Sequence, residues 1–323
     1  MIISQTPLRI SFAGGGTDLA AYYQPHGGLV VSTAIDKFAY VIIKERFDDD
    51  IYLNYMRKEI VTSIDQIEHG LIREAMRMTG VEKGVEITLL SDVPSSGSGL
   101  GSSSSFTVGL LNALYMYQGD QVTAETLARE ACEIEIERLG NPIGKQDQYI
   151  AAYGGFRTFE FQPDGGVAVT RMELSAPMLR QLEGRLQLYF TGQTRRAAAI
   201  LSEQRANSAA KAEQLTRIKR LAQQLTDAFT DGRFDCLGEV LRENWALKRQ
   251  LASGISNDHI ERMYATAMAA GADGAKICGA GGGGFLLVCA SPAAGLSVAT
   301  AMGDYQQMPM RLERGGSRII FNA

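Results

Sequence analysis

PSSGSGLGSSSS, residues 94–105, lies between two stretches of different periodicity. Upstream, Val85, Ile87 and Leu89 alternate with Glu86 and Thr88, the pattern of a half-buried strand, and Pro94 ends it. Downstream, from Ser102, the residues Phe106, Leu110, Ala113 and Tyr117 recur at helical spacing until Gly119. The glycines between strand and helix let backbone N–H groups turn toward a ligand. The helix start adds unpaired N–H groups and the positive end of its dipole, which together make an anion site, most often for phosphate. The serines add hydroxyls for phosphate or Mg²⁺. The competing reading is a flexible Gly/Ser linker, but linkers rarely run straight from an alternating strand into an apolar-periodic helix.

Two familiar phosphate loops are excluded. A Walker A loop needs GxxxxGK[ST], and Gly144-Lys145 is followed by Gln146. The dinucleotide fingerprint GxGxxG would need glycine at 104, after Gly99 and Gly101, where Ser104 stands.

Outward from this loop, PLRISFA (7–13) reads as a strand running into Gly14-Gly15-Gly16, and 28–45 as β-branched and aromatic strands. A helix over 123–139 opens on Thr123 as N-cap and closes on Gly140-Asn141-Pro142. A short helix over 145–153 precedes a hairpin, 156–161 and 166–172, around PDGG. Later come a strand at 186–192 and helical stretches at 196–230, 233–251 and 257–270. KICGAGGGGFLLVCAS (276–291) is a strand split by glycines, and a helix near 292–304 and a strand near 309–321 finish the chain. Strands and helices are interleaved without the regular order of a doubly wound sheet, so the fold class is α+β. A boundary near 173–180, at Pro177, divides the chain into 1–175 and 176–323.

Besides the loop at 94–105, glycines cluster at Gly14-Gly15-Gly16-Thr17-Asp18 and at Gly279-Ala-Gly281-Gly282-Gly283-Gly284. Either run alone could be a bulge or tight turn. Three such runs in one chain favour one composite site at a domain interface.

Two carboxylates stand out. Glu135 lies four residues from Ala131 and from Leu139, on the apolar stripe of its helix, where a carboxylate needs a cation or strong donors. It is either a Mg²⁺ ligand or one half of a buried salt bridge, for instance to Arg138. Asp147, at the mouth of the 145–153 helix, either caps that helix or pairs with Lys145, or points at a substrate hydroxyl.

With 32 Lys+Arg against 36 Asp+Glu, the net charge of −4 gives no basic excess for nucleic acid or an anionic membrane. The longest apolar runs fall far short of a bilayer span, and the N-terminus shows no signal-peptide pattern. Cys132, Cys236, Cys278 and Cys289 form no CxxC pair, and with three histidines a His-based metal site is not expected. Reduced thiols in a cytoplasmic protein are the expectation.

PLRISFAGGGTDL (7–19), PSSGSGLGSSSS (94–105) and KICGAGGGG (276–284) resemble the three signature motifs of the GHMP small-molecule kinases, in order and across nearly the whole chain. The resemblance implies a two-domain fold. The N-terminal α+β domain would be like ribosomal protein S5 domain 2 and the C-terminal domain ferredoxin-like, with ATP in the cleft. Carried over by residue, Gly97, Ser98, Gly99, Leu100, Gly101, Ser102, Ser103 and Ser104 match the phosphate loop. Ser103 and Glu135 match the Mg²⁺ ligands, with Glu133 and Glu137 as fallbacks because the spacing to Asp147 is one residue longer than in mevalonate kinases. Asp147 matches the catalytic aspartate and Arg9 the basic residue near the transferred phosphoryl group.

Within that superfamily, GGGTDL, IERLGNPIGKQDQYIAAYGG (136–155) and TGQTRRAAAIL (191–201) look most like D-glycero-D-manno-heptose 7-phosphate 1-kinases, with L-fucokinase-type enzymes as near neighbours. The implied partners are ATP and a sugar phosphate, and the oligomeric state is left open, a homo-oligomer included. The implied acceptor site takes in Gly15, Gly16, Thr17, Asp18, Gly281, Gly282 and Gly283. Arg195 and Arg196 either anchor the phosphate remote from the reacting hydroxyl, which a helix start and a guanidinium fork both suit, or are solvated surface arginines, and Lys145 is the weaker candidate because it would lie near the reacting end. An ATP-dependent decarboxylase and a non-catalytic sugar sensor share the fold. Arg9, Ser103, Glu135 and Asp147 together argue against both.

Overall fold

The computed structural model describes residues 1–94, 97–194 and 197–323. Its strands are β1 (Ile2–Ala13), β2 (Gly28–Glu45), β3 (Ile51–Asn54), β4 (Lys58–Val61), β5 (Val85–Ser91), β6 (Phe156–Phe161), β7 (Val167–Arg171), β8 (Leu186–Phe190), β9 (Gly274–Ile277), β10 (Phe285–Cys289) and β11 (Arg318–Asn322). The helices are α1 (Ala20–His26), α2 (Gly70–Thr79), α3 (Ser102–Gln118), α4 (Ala124–Cys132), α5 (Gln146–Tyr153), α6 (Ala176–Glu183), α7 (Ala197–Asn207), α8 (Ala212–Thr230), α9 (Leu237–Lys248), α10 (Asp258–Ala269) and α11 (Pro292–Ala301).

The larger sheet runs β11-β1-β2-β5-β3-β4, with β6 also on β2 and β7 on β6. The length of β2 explains the branching. Its first part, Gly28 to Thr33, pairs with β6, and its last part, Ala39 to Glu45, pairs with β5. All pairs are antiparallel except β3 with β5. A smaller antiparallel sheet, β8-β10-β9, belongs to the second half. This is the expected α+β architecture.

Side chains of β1 alternate in direction, and that alternation builds the site. Leu8, Ile10 and Phe12 join a buried cluster with Leu188, Phe229, Leu241 and Trp245 of the second half. Phe12 meets Phe229 edge-on at 6.3 Å between ring centroids. The other face of β1 carries Arg9 and Ser11. A second cluster packs α2, α3, α4 and α5 on the large sheet through Ile43, Ile72, Leu110, Leu127 and Ile150.

Pro177, at the expected boundary, sits in the first turn of α6, where its missing N–H costs nothing and Ser175 caps the helix. Three local expectations change. The stretch 196–230 divides into α7 and α8 around residues 208–211, although no glycine or proline stands there. The final strand is only β11, because Gly316 packs so tightly on the Ala152 carbonyl that an added Cβ would lie 1.9 Å from its oxygen. The helix opened by Thr123 stops being α-helical at Cys132 and continues as a π-helix, Glu133–Arg138.

Candidate active site

Arg9 ties three elements together. Its Nε donates to Asp147 Oδ1 at 2.7 Å and its Nη2 to Asp147 Oδ2 at 2.6 Å, the two-pronged geometry a guanidinium makes with a carboxylate. Its Nη1 donates to the Gly99 carbonyl at 2.6 Å, and its backbone N–H to Leu100 O at 3.0 Å. Thus β1, the 97–101 loop and α5 meet at one cation, only 3% exposed. Burial alone would lower the Arg9 pKa. The charge and hydrogen bonds of Asp147 outweigh it, the net shift is upward, and the guanidinium stays charged. Asp147 pairs with Arg9, not with Lys145, whose Nζ donates to Gly165 O at 2.7 Å.

The phosphate-loop segment turns on Gly97, Gly99 and Gly101, with φ of 73°, 74° and 79°. Gly101 caps α3, so Ser102, Ser103 and Ser104 form that helix's first turn and its unpaired N–H groups face the loop. Ser98 and Ser102 share a hydrogen bond at 3.0 Å, and Leu100 is fully buried beneath. The 279–284 run packs against this loop backbone to backbone. A Cβ on Gly99 would lie 2.5 Å from Cys278 O, and one on Gly284 would lie 2.3 Å from Ser98 O. Gly281 and Gly283 close on Ile255 O and Gln193 O, and the Gly282 N–H donates to Ile255 O at 2.8 Å.

Gly99→Ala and Gly119→Ala separate backbone strain from this close approach. Both glycines have positive φ, 74° and 89°, but nothing lies within 4 Å of a Cβ on Gly119. Each change costs about 1–2 kcal/mol for the left-handed backbone. Only Gly99→Ala should also raise the KM for ATP, by about tenfold or more, a change equivalent to ~1.4 kcal/mol. Equal ATP kinetics in the two variants would remove the loop-to-loop contact from nucleotide binding.

Glu135 lies in the π-helical segment and is 1% exposed. The hydroxyls of Ser103 and Ser104 donate to its Oε2 at 3.3 and 3.2 Å, while Oε1 is buried without a partner. Burial pushes its pKa up to about 7. The nearby hydroxyls of Thr107, Ser104 and Ser103 limit the rise, and the charge of Asp147 adds to it. Arg138 pairs with Glu133 at 2.7 Å rather than with Glu135, and Glu137 is exposed. Among the described residues no group of three His, Cys, Asp or Glu side chains is arranged as a metal centre. One carboxylate, a serine hydroxyl and the oxygens of a bound phosphate chain suit Mg²⁺, which is commonly held by one or two protein carboxylates together with phosphates and water.

The Gly14–Asp18 turn has a different job. The Thr17 hydroxyl donates to Gly14 O at 2.7 Å and to Leu29 O at 3.0 Å, and it accepts from the Leu29 N–H at 3.1 Å. That hydroxyl is therefore spent within the turn. Asp18 Oδ1 accepts from the Gly16 N–H at 2.9 Å, and its Oδ2 accepts from the Gln146 N–H, next to Asp147, at 3.2 Å. Burial, then the charge of Asp147, raises the Asp18 pKa against these two hydrogen bonds. A Cβ on Gly15 would touch the side chains of Gln146 and Ser11, at 3.6 and 3.8 Å, and Gly16 packs on Gln204. Arg195 and Arg196 lie outside the described residues.

Two buried lysines that the motif reading passed over brace the site from the second half. Lys276 Nζ donates to Ser11 O at 3.0 Å and Phe12 O at 3.1 Å, and Lys248 Nζ bonds the Gly279 carbonyl. Burial lowers both pKa values, that of Lys248 to about 8. The available signal was Lys276 itself, a charged residue inside an otherwise apolar and glycine strand.

The GHMP kinases N terminal domain family matches residues 64–155, and the GHMP kinases C terminal family matches residues 225–306. The chain is 33% identical over 305 residues to a D-glycero-alpha-D-manno-heptose 7-phosphate kinase of Campylobacter jejuni, covering 90% of each chain. The chain belongs to the GHMP kinases. A crystal structure of a D-glycero-D-manno-heptose 1-phosphate kinase from Bacteroides thetaiotaomicron superposes on this kinase with a TM-score of 0.84. It is 28% identical and covers 100% of both chains. A putative sugar kinase from Campylobacter jejuni gives a TM-score of 0.80 at 29% identity, covering 98% of this kinase and 97% of that chain. The kinase is an ATP-dependent sugar kinase with the two-part GHMP fold. Among the described residues no helix is long and apolar enough to cross a membrane.

Proposed function

We propose that this kinase transfers the γ-phosphoryl group of ATP to the anomeric C1 hydroxyl of D-glycero-D-manno-heptose 7-phosphate, giving ADP and the 1,7-bisphosphate. The observation that carries the chemistry is the Arg9–Asp147 pair, bonded on one side to the phosphate-loop carbonyl of Gly99 and followed on the other by the Asp18-linked start of α5. The similarity to the Campylobacter jejuni heptose 7-phosphate kinase supports the acceptor.

In this reading the 97–104 segment cradles the β- and γ-phosphates with backbone N–H groups and the α3 N-terminus. Phosphoryl transfer needs positioning and charge stabilisation more than covalent help. Arg9 supplies a fixed positive charge beside the transferred group. Asp147 accepts a hydrogen bond from the anomeric hydroxyl and orients it in line. Both Asp147 oxygens are fixed by the Arg9 guanidinium, so the carboxylate is held rigidly for that orienting role. Ser103 and the open Oε1 of Glu135 would hold Mg²⁺, which when bound neutralises charge on the phosphate oxygens. Asp18 and Gly15 border the acceptor, Thr17 and Gly16 set the Asp18 turn, Gly279 and Gly284 brace the phosphate loop, and Gly281–Gly283 close on Ile255 and Gln193 beside it. A soluble, cytoplasmic enzyme supplying nucleotide-activated heptose fits these substrates.

The test is ADP release over a panel of heptose 7-phosphate, unphosphorylated heptose, L-fucose, galactose and mevalonate, with the product phosphate located by NMR. Preference for heptose 7-phosphate with a new C1 phosphate is the expected result. Preference for fucose or free heptose overturns the acceptor while leaving the kinase assignment standing.

A further inference from the structure

Beside the Arg9–Asp147 pair, two buried polar atoms have no partner among the described residues: Ser11 Oγ and Gln146 Oε1. Ser11 is 6% exposed and lies two residues from Arg9 on the same face of β1. Gln146 immediately precedes Asp147. Both side chains flank Gly15. A Cβ there would touch them at 3.6 Å from Gln146 Nε2 and 3.8 Å from Ser11 Oγ, and apart from its chain neighbours no other atom of the described residues lies within 4 Å. A side chain at Gly15 would stand between the two.

The backbones of both residues are pinned while the side-chain ends stay open. Lys276 holds the Ser11 carbonyl, and Asp18 holds the Gln146 N–H. A buried donor or acceptor left unmade is costly, and native proteins keep few of them without a reason. Here the two orphans point to a ligand that completes them. The open Gln146 Oε1 is an acceptor, which an ionised phosphate or carboxylate has no proton to satisfy. A hydroxyl and a carboxamide each donate and accept, which is the complement of a sugar hydroxyl.

We propose that Ser11 Oγ and the Gln146 carboxamide bind the acceptor hydroxyl adjacent to the one that Asp147 orients, so that this kinase recognises a vicinal diol rather than an isolated alcohol. The proposal deepens the sugar-acceptor reading and rests on it. Ser11 and Gln146 are then specificity residues, and the open position at Gly15 is what admits the second hydroxyl.

The experiment is a cycle between protein and substrate. Wild type, Ser11→Ala and Gln146→Leu are each assayed with heptose 7-phosphate and with its 2-deoxy analogue, varying acceptor and ATP separately. Each substitution should raise the KM for the full acceptor by about 2- to 13-fold, the range one neutral hydrogen bond represents, and leave the KM for ATP within about twofold. On the deoxy analogue the substitutions should cost little more, because the hydroxyl they serve is already gone. Ser11→Ala, which deletes an unpartnered hydroxyl, should not lower the melting temperature. Additive losses, or a KM for ATP that moves with that of the acceptor, overturn the proposal. If wild type ignores heptose 7-phosphate, the acceptor reading fails by itself. The cycle then runs on the sugar of the panel that wild type does phosphorylate and its analogue lacking the adjacent hydroxyl, with the same criteria.

Discussion

Asp147→Asn should lower kcat by about 10²–10⁴, the usual span for a positioned acid–base group, while ATP still binds within a few-fold of wild type. The site geometry explains both halves of this expectation. Asp147 accepts two hydrogen bonds from Arg9 at 2.7 and 2.6 Å, and its side chain keeps 24% of its surface open. The open part is where an acceptor hydroxyl can reach it. Asparagine keeps the shape but turns one oxygen into a donor and removes the charge. The Arg9 side chain, 4% exposed, then loses its carboxylate and retains the Gly99 carbonyl. Breaking a buried ion pair typically costs about 3–5 kcal/mol, and the partial exposure of Asp147 brings the expected loss of stability below that range. Kinetics at saturating ATP, a nucleotide-binding titration and a melting curve separate the effects. A variant that melts earlier yet turns over within a few-fold of wild type would confine Asp147 to holding Arg9.

The sequence made the phosphate-loop segment legible because its signal is local. A period-two strand, a glycine turn and a period-3.6 helix follow one another within 85–118, and β5 and α3 form there as expected. The N-cap at Thr123 was legible for the same reason, and its hydroxyl accepts from the Thr126 N–H at 3.1 Å. What stayed hidden depends on distant partners. The four-residue strands β3 and β4 are too short to show a period. The pairing of β11 with β1 joins residues more than 300 apart. Local reasoning left Asp147 with Lys145 as one partner, and only the fold brings Arg9 to it across 138 residues. Gln146 and Ser11 look like ordinary polar residues until folding buries Gln146 Oε1 and Ser11 Oγ with no partner among the described residues. Glu135 shows a subtler limit. Its inward position followed from α-helical phase, yet the segment is a π-helix, a rare form found mostly as single turns at functional sites. The neighbours at four residues, Ala131 and the half-buried Leu139, set the face well enough for the inference to survive the change of helix type.

Glu135→Gln is expected to raise the Mg²⁺ concentration needed for half-maximal ATP use at least as much as losing an outer-shell partner does, about 10- to 100-fold. Glu133→Gln and Glu137→Gln should leave it near the wild-type value. Glu133 is engaged by Arg138 at 2.7 Å and Glu137 faces solvent, whereas Glu135 presents a buried, unpartnered oxygen beside Ser103. A second readout needs no turnover. Burial raises the Glu135 pKa from 4.5 to about 7. The folded protein therefore favours the protonated form more than the unfolded chain does. In chelator, that preference stabilises the fold fully below pH ~4.5, fades as pH rises, and is lost above pH ~7. A difference of this size corresponds to about 3 kcal/mol. Wild type in chelator should lose melting temperature between pH 5 and pH 8, and Glu135→Gln, which cannot ionise, should lose less. At pH 8 Mg²⁺ with a non-hydrolysable ATP analogue should recover the difference in wild type, since a cation beside the carboxylate offsets its buried charge, and should do less for Glu135→Gln. If the two proteins share one pH profile in chelator, the carboxylate is not carrying an uncompensated buried charge. If Glu133→Gln is the change that disables Mg²⁺ use, the metal ligand lies two residues earlier on the π-helical segment.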